Sequence, residues 1–185
     1  GGYVGLTTST CFAYVGMNVG LVENNTTKFH QLAEGKVPFF EPRLQEIYQE
    51  LHNRKKIRVY PSIESLLKEE KPKAIFISVG TPAQKDGSAN LNSVKTACHK
   101  IQFYTKSHQI VFIKSTVPVG TISQLEKTFT KLSFVMNPEF LREGCAVKDF
   151  LSPQRIIIGC RSQTGFRIAK KIYSFLRHKK VRYIE

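Results

Sequence analysis

Long apolar runs are missing from this sequence. The longest, at residues 74–79 and 156–160, fall far short of the roughly 20 residues a helix needs to cross a bilayer. No signal-peptide flanks accompany them, so nothing directs the chain to a membrane. Cysteine is scarce: Cys11, Cys98, Cys145 and Cys160 form no C-x-x-C pair and lie at no metal-ligand spacing from a histidine. This excludes the usual zinc motifs and fits a reduced, cytoplasmic compartment. The five histidines are dispersed as well, and no metal is expected. Internal repeats and low-complexity segments are absent.

Negative charge is also in short supply. There are 14 Asp+Glu against 28 Lys+Arg, a net charge of +14, enough to attract phosphates or nucleic acid. The basic runs at residues 54–58 and 177–182 fit solvated helix ends, where cations complement the helix dipole. No recognised nucleic-acid-binding motif accompanies them. A nucleic-acid partner is therefore not the expected one, and a basic binding module rests on charge alone.

What the chain does have is an alternation of short β-branched runs with longer helical patterns, the mark of a parallel α/β fold. A helix follows Gly5, with Leu6, Ser9, Ala13 and Gly16 on one side. Strands are predicted at residues 19–22, 57–60, 73–79, 110–114, 134–136, 155–160 and 181–184. Helices are predicted at residues 27–34 and 44–51, after Ser62, through Leu91, Val94, Cys98 and Ile101, and after Thr121. Ser62 and Thr121 are the predicted helix caps. The apolar run at 73–79 is of the kind buried on both faces of a parallel sheet.

Gly2-Tyr3-Val4-Gly5 supplies the last two glycines of a G-x-G-x-x-G turn. The first of these lets the backbone approach a pyrophosphate, and the second lets helix and strand pack. Glu23 closes the next strand about 20 residues on, where that fingerprint expects an acid for ribose hydroxyls. An acid there would repel a 2′-phosphate, which favours NAD over NADP. A glycine turn ahead of any helix, with an exposed strand-end acid, is the plain alternative.

Three predicted strand ends carry Thr81, Thr116 and Glu139, and ligands of open α/β sheets bind along that edge. Taken singly, the threonines also suit turns or caps. Glu139 and Glu143 are four residues apart, so a helical turn opened by Pro138 would put both carboxylates on one face, where they could divide acid–base work. The spacing equally fits a solvated helix face. Arg142 and Lys148 are the nearest partners in sequence that could hold the glutamates ionised.

The strings Gly-Tyr-Val-Gly-Leu (2–6), Val-Gly-Thr-Pro (79–82), Lys-Ser-Thr-Val-Pro-Val-Gly-Thr (114–121) and Asn-Pro-Glu-Phe-Leu-Arg-Glu-Gly (137–144), in that order, resemble the UDP-glucose/GDP-mannose dehydrogenase family. Glu-Pro (41–42), Asp-Gly-Ser-Ala (86–89) and Asp-Phe-Leu-Ser-Pro-Gln-Arg (149–155) extend the likeness over nearly the whole chain. The strings look most like the UDP-glucose 6-dehydrogenase branch, with GDP-mannose and UDP-N-acetylmannosamine enzymes as cousins.

The resemblance implies a Rossmann-like, doubly wound, mostly parallel sheet that binds NAD and works on a UDP-sugar. It puts Gly2, Val4, Gly5, Glu23, Lys28, Thr81, Thr116 and Glu143 at the cofactor, and Glu139, Phe140, Leu141, Arg142 and Glu143 at the sugar nucleotide. Family members oxidise the sugar's C6 alcohol to a carboxylate in two hydride transfers, with two NAD, through an enzyme thioester. Glu139 is implied as base toward the hydrolytic water, Thr116 as its orienting group, and Glu143 as a further member of the catalytic set. The intact enzyme is implied to be a homo-oligomer.

Position 23 is usually Asp in the family, and Glu41-Pro42-Arg43 stands where Glu-Pro-Gly is usual. Residues 1–185 read as one dinucleotide-binding domain lacking its first strand, without the linking helix and the C-terminal sugar-nucleotide domain. The thioester-forming cysteine is expected beyond residue 185, and Cys145 is expected to be structural. The central strand is the missing one in the order 3-2-1-4-5-6. The chain alone is thus expected to be inactive and to be unstable or aggregate, and a remnant without function is the third reading.

Overall fold

The computed structural model describes residues 1–106 and 108–176. In chain order the elements are α1 (Tyr3–Tyr14), β1 (Val19–Val22), α2 (Thr26–Ala33), α3 (Leu44–Asn53), β2 (Ile57–Tyr60), α4 (Ile63–Glu69), β3 (Ile75–Ile77), α5 (Asn92–Tyr104), β4 (Gln109–Ile113), α6 (Thr121–Thr128), β5 (Leu132–Met136), α7 (Ala146–Leu151) and α8 (Gln163–Ile172), followed by a 3-10 turn at Tyr173–Leu176. They form two compact units, Gly1–Glu70 with Phe140–Pro153, and Lys71–Glu139 with Gln154–Glu185. Among the described residues no helix is long and apolar enough to cross a membrane.

In the first unit β1 and β2 pair in parallel from Val19↔Ile57 to Val22↔Tyr60. The ladder runs one bond further, where the Glu23 amide donates to the Tyr60 carbonyl at 3.0 Å. Helix α1 is buried from Gly5 to Thr8 and from Thr10 to Ala13, so it has no solvent face and shows no amphipathic periodicity. It packs on β1, α3 and α7, with Phe12 meeting Phe150 edge-on at 5.0 Å. Helix α3 buries Leu44, Ile47, Tyr48 and Leu51, the i, i+3, i+4, i+7 stripe of a surface helix. Burying each such Leu stabilises by about 1.5–3 kcal/mol. The Tyr48 hydroxyl donates to the Leu32 carbonyl at 2.9 Å and ties α3 to the end of α2. Asn25 caps α2 and Ser62 caps α4, the latter in a reciprocal box with Ser65.

In the second unit three parallel strands lie in the order β3-β4-β5. The middle strand, β4, is buried along its whole length, and Phe112 stacks on Phe76 of β3 at 4.5 Å. Helix α5 turns Val94, Ala97, Cys98 and Ile101 inward, while α6 and α8 pack on β5. Both sheets are parallel, as predicted.

Three details differ from the sequence expectations, and a fourth expectation falls outside the described residues. The strand predicted at 73–79 is only three residues long and buries only Ile77; among the described residues β3 is the outer strand of its sheet. Residues 155–160 form no strand; a single antiparallel bridge joins Gly159 to Met136. Thr121 begins α6 instead of capping it: Gly120, at φ 88°, is the cap, and the Thr121 hydroxyl donates back to the Pro118 carbonyl at 2.7 Å. The strand predicted at 181–184 lies outside the described residues.

Candidate functional site

The first unit builds its part of the site around the start of α1. Gly2 caps this helix without any side-chain hydrogen bond, and a Cβ placed on Gly2 would meet nothing within 4 Å. The backbone at Gly2 therefore borders open space at the start of α1, an arrangement that suits a pyrophosphate. At Gly1 the reverse holds, since a Cβ would fall 2.5 Å from Glu23 Oε2. Only glycine there lets the chain pass this close to the acid. The Gly1 nitrogen donates to the Val22 carbonyl at 3.0 Å and lies 3.5 Å from Glu23 Oε2.

Glu23 is buried, with 8% of its surface exposed, and its Oε1 accepts the Asn25 amide at 2.8 Å. The carboxylate is thus held at the end of β1 beside the glycine turn, and these residues fit the adenosine ribose and pyrophosphate of NAD. Lys28 lies in the first turn of α2, where its amide donates to Asn25 Oδ1 at 3.0 Å, and its side chain is exposed. Val4, in the first turn of α1, is half-buried, and Gly5 is buried.

Glu143 belongs to this unit too. Its neighbours Gly144 and Ala146 donate their amides to the Glu41 carboxylate, each at 2.8 Å. The Tyr3 hydroxyl donates to the same group at 2.6 Å. Tyr3 also packs its ring on Phe39 at 5.1 Å. Burial first, and then the bond to Glu41, push the Tyr3 pKa upward, with Glu143 adding to the shift. The Tyr3 hydroxyl consequently stays a donor. Neither Tyr3 nor Glu41 has a local sequence signal for this role, because Glu41 finds its amide donors more than a hundred residues away.

The proposed helical turn at Pro138 is absent. Residues 137–142 have no helical structure, and α7 opens only at Ala146, so Glu139 and Glu143 share no helix face. Proline favours an extended predecessor, which suits the run out of β5. Arg142 is engaged by Asp149. Its side chain grips Asp149 in two bonds of 3.0 and 2.8 Å, and its amide donates to Asp149 Oδ2 at 3.1 Å. The hydrogen bond from Arg142 is the main reason that the Asp149 carboxyl titrates below its ordinary value.

The second unit gathers the ends of its three strands. The Thr81 hydroxyl donates to the Thr116 carbonyl at 2.7 Å, and the Ser115 hydroxyl donates to the Val79 carbonyl at 2.7 Å, which joins the turns after β3 and β4. Lys114, at the end of β4, is 5% exposed. Burial lowers its pKa to about 8, against which the charge of Glu139 pulls upward. Lys114 is thus a cation of the second unit within electrostatic reach of Glu139. Sequence reading quoted Lys114 only as part of a string; its burial follows from the central place of β4. The next strand end is fixed by Asn137, which donates from Nδ2 to the Ile157 carbonyl at 3.1 Å and accepts from the Tyr173 hydroxyl at 2.6 Å.

The site residues thus fall into two sets. Gly2, Val4, Gly5, Glu23, Lys28 and the 140–143 segment belong to the first unit, and Thr81, Thr116 and Glu139 to the second. Burial pushes the thiols of Cys11 and Cys98 up to about 12, which leaves them un-ionised near neutral pH. Cys145 is exposed at the cap of α7.

Comparison with known proteins gives this geometry a family. The model described as "UDP-glucose/GDP-mannose dehydrogenase family, NAD binding domain" matches residues 1–177. UDP-glucose 6-dehydrogenase of Pseudomonas aeruginosa is 35% identical over 192 residues, covering 97% of this chain and 42% of the relative. UDP-glucose 6-dehydrogenase TuaD of Bacillus subtilis is 34% identical over 179 residues, covering 93% and 38%. The structure of a UDP-glucose dehydrogenase from the archaeon Pyrobaculum islandicum matches with a TM-score of 0.90 at 29% identity, covering 100% of this chain and 44% of that one. The chain spans about two-fifths of the length of the curated relatives it matches. An open glycine turn, a strand-end acid and parallel strands ending in hydroxyl-bearing loops accord with this likeness, and the chain belongs to the UDP-glucose/GDP-mannose dehydrogenase family, of which residues 1–177 match the NAD binding domain.

Proposed function

We propose that residues 1–185 are the dinucleotide-binding portion of an NAD-dependent nucleotide-sugar dehydrogenase that oxidises UDP-glucose to UDP-glucuronate with two NAD. The observation that carries this is Glu23, buried at the end of β1 and 3.5 Å from the nitrogen of Gly1, beside an uncapped helix start. A carboxylate so placed accepts ribose hydroxyls and repels a 2′-phosphate. Bound NAD supplies the hydride acceptor.

The remaining roles are those that the family resemblance implies. The bare backbone at Gly2 allows a pyrophosphate close to the amides of α1, with Val4 alongside and Lys28 adding positive charge. Thr81 and Thr116 serve the cofactor from the ends of β3 and β4, and Glu143 from its turn. Residues Glu139, Phe140, Leu141, Arg142 and Glu143 hold the sugar nucleotide. Glu139 takes a proton from the hydrolytic water that Thr116 orients.

The names of the relatives favour UDP-glucose as substrate; GDP-mannose or UDP-N-acetylmannosamine is the alternative. The whole enzyme is proposed to be a cytoplasmic homo-oligomer. None of the four cysteines of this chain takes the thioester role in this proposal, so residues 1–185 alone bind NADH without turning over UDP-glucose.

Calorimetric titration of the chain with NADH and NADPH tests the proposal. NADH should bind at least about tenfold more tightly, a difference of roughly 1.4 kcal/mol, and Glu23→Ala should erase most of that preference. Equal affinity for the two cofactors, or no binding by the folded chain, would overturn it.

A further inference from the structure

Glu41 is a buried carboxylate, 3% exposed, whose three hydrogen-bond donors are neutral: the Tyr3 phenol and the amides of Gly144 and Ala146. Burying a charge is costly, and an apolar residue usually serves stability as well. A shared acceptor does something an apolar contact cannot, because it fixes the distance between the groups that point at it. Here those groups are the first residue of α1 and the turn that carries Glu143. That turn is pinned on both sides. Asp149 accepts the Arg142 amide on one side of Glu143, and Glu41 accepts the Gly144 amide on the other. Gly144 makes the geometry possible, since its φ of +80° lies where other side chains are strained.

We infer that Glu41, with Tyr3, is a positioning residue that couples the glycine turn to the Glu143 turn, so that occupation of the α1 start by a dinucleotide and the placement of Glu143 depend on one another. This rests on the NAD reading above. Glu41 acts through the two segments it joins.

A double-mutant cycle on the full chain tests the coupling, with NADH affinity read by fluorescence titration and folding by circular dichroism. Glu41→Gln keeps the size of the side chain but replaces one acceptor oxygen with a donor. It should weaken NADH about tenfold in the native background, yet less than about twofold in a Glu143→Gln background, because the group it positions is then already disabled. Tyr3→Phe removes one donor and leaves both amide bonds, and should give a smaller effect, about threefold, that also vanishes with Glu143→Gln. This variant carries the test if Glu41→Gln does not fold. Equal effects in both backgrounds would mean that Glu41 merely supports the fold, and would overturn the inference while leaving NAD binding intact. A folded native chain that does not bind NADH would overturn the functional reading and the inference together.

Discussion

The hydroxyl of Thr81 donates to the main-chain carbonyl of Thr116 at 2.7 Å, so the turn after β3 is held by the turn after β4. The hydroxyl proton is spent on this bond, which leaves the Thr81 oxygen lone pairs for a ligand donor. Thr81→Val keeps the shape and deletes both functions. It should cost about 0.5–1.5 kcal/mol of stability, and NADH affinity should fall several-fold in the same protein. Chemical denaturation with a parallel binding titration checks this; unchanged affinity would remove Thr81 from the site.

The pH dependence of stability should carry the signature of Lys114. Its folded pKa of about 8 lies below the ordinary 10.5, so between these values the unfolded chain holds a proton that the folded chain has released. Stability therefore rises as pH climbs from about 8 to 10.5, while below 8 the burial penalty is present in full. The span corresponds to roughly 3 kcal/mol at most. Lys114→Met should flatten that rise in urea unfolding curves recorded at pH 7.5 and 10. A slope that survives the substitution would assign it to other groups.

Arg43 occupies the left-handed region at φ 66° while capping α3. A left-handed residue with a side chain costs about 1–2 kcal/mol, partly offset by the extra freedom of glycine in the unfolded state. Arg43→Gly should accordingly be neutral or raise stability by up to about 1 kcal/mol, whereas Arg43→Val, branched at Cβ, should lower it by more than about 1 kcal/mol. Thermal melts of the two variants decide; a destabilising glycine would mean that the arginine side chain contributes more than its backbone costs.

Helix α1 buries the hydroxyls of Thr7, Thr8 and Thr10 without a hydrogen-bond partner among the described residues. Burying such a group costs about 1–3 kcal/mol, and valine has nearly the same shape and helix propensity. Thr10→Val should therefore stabilise the protein by about 1 kcal/mol, or roughly 2–4 °C in melting temperature. A lower melting temperature would show that the hydroxyl has a partner in solution.

Most of the element order was legible in the sequence because its causes are local. The strand 19–22 and the strand 57–60 begin and end as their β-branched runs do, and Ser62 caps α4 as its position predicts. Errors fell where a distant partner decides. The run 155–160 has the composition of a strand, yet a strand needs a free edge in correct register, and only Gly159 finds a bridge. Arg142 likewise finds Asp149 only through the fold of its turn, and the burial of Lys114 comes from its place after the buried strand β4.

The sequence by itself determined the parallel α/β class, the glycine turn, the strand-end acid at position 23 and the family, because periodicity, turn residues and ordered motifs are properties of neighbours along the chain. Only the tertiary structure decided that Glu41 joins Tyr3 to the Glu143 turn, that Lys114 is buried with its pKa lowered, and that Glu139 and Glu143 share no helix face. Burial and hydrogen-bond geometry depend on which segments meet in space, and no local pattern encodes a carboxylate whose amide donors lie over a hundred residues away.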